Sequence, residues 1–102
     1  MPAVIEFTMQ VKPGHFDQVL EAYSAFAADF QQVVPEDRII VIAGDRASGL
    51  IRGIGVFDSA VVAEEVNSMP FFAAFNDAVA PLLSGAPERI ELELIHLFVA
   101  PE

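Results

Sequence analysis

The chain has 102 residues, enough for one domain with a modest core. Fifteen acidic residues against five basic ones give a net charge of −10, which disfavours nucleic acid and anionic membrane surfaces as partners. There are no cysteines, so disulfides, thiolate metal sites and cysteine nucleophiles are excluded.

Residues 4–12 alternate, with Ile5, Phe7, Met9 and Val11 on one face and Glu6, Thr8, Gln10 and Lys12 on the other. That pattern predicts a half-buried strand, ended by the turn pair Pro13-Gly14. From His15 the period becomes helical. Phe16, Val19, Leu20, Tyr23, Phe26, Ala27, Phe30 and Val33 form one broad apolar stripe, and Pro35-Glu36-Asp37 stops the helix. Residues 38–43 (RIIVIA) predict a strand apolar on both faces. A six-residue loop, GDRASG, separates it from a strand over 50–57, which predicts a hairpin.

Asp58 or Ser59 can cap a second helix over 60–67. Ser68-Met69-Pro70 then reads as a break with a fresh N-cap, restarting a helix that runs to Leu83 and closes at Ser84-Gly85. Residues 88–99 alternate and predict one long final strand.

The order β-α-β-β-α-β predicts an α+β, ferredoxin-like domain spanning 1–102, an antiparallel sheet with helices on one face. The other face is left open. With 54% hydrophobic residues, an open sheet face predicts a homodimer in which two sheets close into one barrel. No apolar run is long enough to span a bilayer, and the N-terminus has no secretory pattern, so a soluble cytoplasmic protein is expected.

Few residues can carry chemistry. His96 falls on the Ile90, Leu92, Leu94 and Phe98 face of the last strand, as an acid or base or as an inert sheet histidine. Tyr23, the one tyrosine, sits on the stripe of the first helix, either spanning core and rim or hydrogen-bonding a bound phenol or quinone. Gly53 and Gly55 alternate in RGIGVF, as a bulge or as a pocket floor beside Phe57. Arg52 can meet a ligand carboxylate, or pair with Asp45 or a glutamate of the last strand. In NSMPFFAAFNDAVAPLL, Phe72 and Phe75 share a stripe toward the sheet. Phe71 lies about 100° around, at a cavity rim or a partner subunit. Small neighbours Ala73, Ala74 and Ala78 leave room near the rings. Plain core competes with an aromatic-lined cavity for a small apolar or aromatic ligand. No histidine pairs with a second ligand at metal-binding spacing, and no motif supports flavin, NAD or haem.

Three stretches together resemble the antibiotic biosynthesis monooxygenase-like family of dimeric α+β barrels: VKPGHFDQVLEAY, NSMPFFAAFNDAVAPLL and PERIELELIHLF. The resemblance covers nearly the whole chain in order and spacing. It implies cofactor-independent oxygen chemistry on a small aromatic or polyketide-like compound, with Tyr23 or His96 handling protons. The chain departs from the family at several positions. Phe71 stands where many relatives have a histidine and Phe57 where many have a tryptophan. Glu36-Asp37-Arg38-Ile39 replaces the small-residue-then-tyrosine signature, and the first strand lacks an asparagine. These departures leave open a non-catalytic ligand-binding or interaction module of the same fold.

Overall fold

A computed structural model of the chain describes residues 2–33 and 37–101. The elements are β1 (Ala3–Gln10), α1 (Phe16–Val33), β2 (Asp37–Asp45), β3 (Leu50–Phe57), α2 (Ala60–Asn67), α3 (Pro70–Val79) and β4 (Glu88–Glu93). The sheet order is β2-β3-β1-β4, with every neighbouring pair antiparallel. This is the ferredoxin-like α+β architecture expected from the element order. No described helix is long and apolar enough to cross a membrane.

Alternation in β1 decides the layering. Ala3, Ile5, Phe7 and Met9 are buried under the helices, and Val4, Glu6 and Thr8 lie on the other face. Register carries this division across the sheet. Ile5 faces Gly55, which faces Ile40, while Glu6 faces Ile54, which faces Val41. RIIVIA therefore does feed both faces: Ile40 and Ile42 pack under the helices, and Val41 stays 46% exposed on the open face. The hairpin loop is shorter than expected, because Gly44 and Asp45 continue β2. Gly49, at φ +77°, closes the turn in a backbone region open to glycine.

The helices begin and end where side chains dictate. Ser59 caps α2 by accepting from the Val62 N–H at 3.3 Å. Pro70 does break the second helical stretch. Met69, which precedes it, is held extended at φ −72°, ψ 141° and serves as N-cap of α3 without a side-chain bond. Ser68 does not cap α3; its hydroxyl donates back to the Glu64 carbonyl. The helix also stops earlier than expected, at Val79, because Pro81 lacks the N–H that the next turn needs. A 3-10 turn over Ala80–Leu82 follows, and Leu83 then bridges to Val11.

The last strand ends at Glu93, not Val99. Its partner β1 begins at Ala3, so the pairing runs out: the final bond is the Leu94 N–H to the Pro2 carbonyl, at 3.1 Å. Beyond it, Ile95, Phe98 and Val99 are 83%, 74% and 68% exposed.

Two apolar clusters fill the space between helices and sheet. One surrounds Met9, Val19, Ile51 and Val79, all fully buried; the other joins Ile5, Phe30, Phe57, Ala63 and Val66. Each such large side chain contributes about 1.5–3 kcal/mol. Phe26 and Phe72 pack against both clusters, and a cavity lies where the clusters meet.

Candidate functional site

The cavity is built from α1, the sheet and the start of α3. It holds about 60 Å³, is half open to solvent and is lined on one side by Tyr23, Phe26 and Phe30 of α1. Ile5, Phe7, Gly53, Gly55 and Phe57 of the sheet form its floor, and Phe72 lines it from α3. Tyr23 is the one lining side chain with a polar atom.

The glycine pair explains how the floor is made. Both glycines face the helices, opposite Phe7 and Ile5. A β-carbon on Gly53 would lie 1.6 Å from the Tyr23 hydroxyl oxygen, and one on Gly55 would lie 2.9 Å from Cε2 of Phe57. No bulge interrupts β1–β3 pairing here, so the glycines serve close approach. They seat the phenol and the Phe57 ring against the sheet.

Tyr23 is 7% exposed. Its ring stacks on Phe75 at 5.1 Å and 28° and meets Phe7 edge-on at 6.3 Å. Among the described residues its hydroxyl has no hydrogen-bond partner. Burial pushes the phenol pKa up to about 12, so the group stays protonated at neutral pH and can donate a hydrogen bond. It is not a base under those conditions.

The other sequence-identified residues divide. Phe57 and Phe72 line the cavity, as do Gly53 and Gly55. Phe75 is buried behind Tyr23 and supports it without lining the space. Phe71 is not among the residues that line the cavity. It turns toward α1, stacking on Phe26 at 5.2 Å and 22° and tilting against Phe30. Ala73, Ala74 and Ala78 are exposed, so they leave no room near the rings. Arg52 lies on the open face and donates from Nε to the Thr8 hydroxyl at 3.4 Å, not to Asp45 or a glutamate of β4. His96 is exposed on the segment beyond β4 and does not line the cavity. His15 contacts Gln18 at the start of α1, at the surface.

Phe7, Phe26 and Phe30 were legible as apolar stripe positions but not as cavity walls, because only the β1–β3 register brings the glycines beneath them. A second feature had no sequence signal. An open groove of about 550 Å³ runs outside Phe7 and Phe72, with Asn67, Asn76, Asp77 and Arg89 along it. Arg89 is tied to Glu64 at 3.3 Å, linking β4 to α2. Among the described residues, no three His, Cys, Asp or Glu side chains converge as a metal site would need.

No protein-family model matches the sequence, and no curated protein matches it by sequence. Solved structures do match. A candidate antibiotic biosynthesis monooxygenase from Caulobacter crescentus is similar with a TM-score of 0.84 and 17% identity, over 93% of this chain and 91% of that one. Another from Chloroflexus aurantiacus gives 0.77 and 19%, over 97% and 98%. SnoaB, a cofactor-independent oxygenase from Streptomyces nogalater, gives 0.79 and 14%, over 94% and 95%. At these identities the likeness is one of fold. It is the likeness the three sequence stretches pointed to: the chain has the ferredoxin-like α+β fold of structures named as antibiotic biosynthesis monooxygenases.

Proposed function

We infer that the protein binds a small aromatic compound in the cavity under α1 and α3, with the Tyr23 hydroxyl donating to its carbonyl or phenolic oxygen. The observation that carries this reading is a buried hydroxyl, without a hydrogen-bond partner among the described residues, seated over Gly53 in an otherwise apolar, aromatic-walled cavity. A buried donor left unmet costs about 1–3 kcal/mol, and a ligand acceptor recovers part of that. Aromatic walls with one polar anchor are the ordinary build of a small-molecule site.

The chemistry follows the fold likeness to SnoaB, named as a cofactor-independent oxygenase. A neutral donor at a ketone oxygen stabilises the enolate formed when a C–H conjugated with that ketone gives its proton to water. Such an electron-rich anion can react directly with oxygen. For anthrone, one CH₂ and O₂ would give one C=O and water. The working unit is inferred to be a cytoplasmic homodimer joined through the open sheet face, where Val41, Ile90 and Leu92 are each nearly half exposed.

A second reading is a binding module without turnover. It is favoured by the protonated state of Tyr23 and by the place of His96, outside the cavity. Oxygen uptake with anthrone separates the two. His96→Gln is expected to leave unfolding unchanged within about 0.5 kcal/mol, since the residue is exposed. A loss of turnover of about 10²–10⁴-fold in that folded variant would assign the proton step to His96. Binding itself is tested by calorimetry with phenol and anthrone: Tyr23→Phe should weaken affinity by about tenfold, the equivalent of one hydrogen bond. Unchanged affinity would remove Tyr23 from the site.

A further inference from the structure

We propose that Phe72 is the door of the aromatic cavity and the residue that decides which ring sizes enter it, a proposal that rests on the cavity being a ligand site. The space is half open to solvent and holds about 60 Å³. That is well below the roughly 150 Å³ of an engineered protein cavity that takes up benzene. A ring can therefore enter only if a wall moves, and the walls differ in what they lose by moving.

Tyr23 is buried and stacked on Phe75, and Phe30 and Phe57 are buried at 3% and 6% exposure. Phe72 is only partly buried. It meets Phe7, Phe26 and Phe75 edge-on, at 5.6, 5.3 and 6.4 Å, and swinging out gives up these three contacts. Its backbone is the third residue of α3, in a first turn whose N-cap, Met69, makes no side-chain bond. An uncapped helix start is the weakest part of a helix.

Position completes the case. Phe7 and Phe72 are the two side chains shared by the inner cavity and the outer groove. Phe7 is fixed in β1, between two paired strands. Phe72 faces open space on its groove side, where a groove of about 550 Å³ receives the ring when it swings out. With Phe72 displaced, the small cavity and the groove become continuous, and the polar rim at Asn67 and Asn76 lies at the entrance.

The experiment follows association of 2-naphthol with the full chain by stopped-flow fluorescence. Phe72→Leu, which keeps apolar volume but removes the ring, should raise the association rate by about tenfold, because opening a wall limits entry. Phe72→Trp should lower it by a similar factor. Ile40→Val, on the far wall, serves as control and should leave the rate within about twofold. Equal rates across the Phe72 series overturn the proposal, as does an acceleration in Ile40→Val matching that of Phe72→Leu. If 2-naphthol and phenol bind neither the wild type nor any folded variant, the ligand-site reading fails and the door with it. Thermal unfolding of each variant identifies the folded ones. Should Phe72→Leu not fold, slowed entry in Phe72→Trp supports the door, and an unchanged rate there overturns it.

Discussion

The Tyr23 hydroxyl occupies the volume that a side chain on Gly53 would need, with 1.6 Å between its oxygen and an ideal β-carbon on that glycine. The phenol and the glycine are thus one unit, and changes at either are felt at the other.

Replacing each strand glycine by alanine separates two kinds of close approach. Alanine relieves the entropic cost of a strand glycine by about 0.4–1 kcal/mol. At Gly53 the clash with a buried phenol should outweigh that gain, for a net loss of about 1–3 kcal/mol in urea unfolding. At Gly55 the nearest atom is a ring edge of Phe57 at 2.9 Å, which need give far less. Gly55→Ala should stay within about 1 kcal/mol of wild type. Equal losses at both positions would show that the phenol is not what Gly53 accommodates.

Tyr23→Phe should leave stability unchanged or raise it by up to about 1 kcal/mol, since it deletes a buried hydroxyl with no described partner. A hydroxyl holding the fold together would instead cost about 0.5–1.5 kcal/mol on removal. Chemical denaturation of the two proteins under one condition decides between these outcomes.

Alkaline pH gives an independent reading of the same group. The phenol titrates near 10 when unfolded and at about 12 when folded. The neutral form is therefore favoured by folding. Its contribution is complete below pH 10 and is lost as pH rises from 10 to 12. Two units correspond to about 2–3 kcal/mol. Tyr23 is the one tyrosine, so phenolate absorbance reports it alone. The absorbance should appear near pH 12 or together with unfolding, and Tyr23→Phe should flatten the stability loss between pH 10 and 12. A midpoint near 10 in folded protein would contradict the burial of this phenol.

The open sheet face carries the dimer proposal. Light scattering should give about twice the 11.0 kDa chain mass. Ile90→Lys places a charge on the open face, opposite Glu6 and beside Leu92, on a residue already 45% exposed in the protomer. It should return the mass to that of one chain with little change in the unfolding of the monomer. A wild-type mass of one chain at micromolar concentration would end the proposal.

How far the sequence could be read depended on whether a feature was local. Alternation in β1 and the stripe of α1 are set by neighbours one to four residues apart, and both appeared where expected. The extent of the last strand was not local. Leu94, His96 and Phe98 keep the alternation, but a strand needs a partner, and among the described residues pairing with β1 ends at Ala3↔Glu93 and the Leu94 bond to Pro2. The surroundings of Phe71 were likewise not local. Its rotation about α3 was legible, while the rings of Phe26 and Phe30 that receive it come from another helix. The glycine pair was visible as an anomaly. Its meaning required the register that sets Tyr23 above it.

One property of β4 bears on how the protein behaves in concentrated solution. β4 is an edge strand, and edge strands invite further strands to add. Glu91 and Glu93 stand in register with the buried Ile5 and Ala3, on the side the helices cover elsewhere, yet both remain exposed. A second β4 laid along this edge would bring like charges together on that side, at some cost in Coulomb repulsion. That protection is electrostatic and depends on ionic strength. The screening length falls from about 10 Å at 0.1 M to about 3 Å at 1 M salt. The edge that is guarded in dilute buffer becomes adhesive in strong salt, so colloidal stability should decline as salt is added.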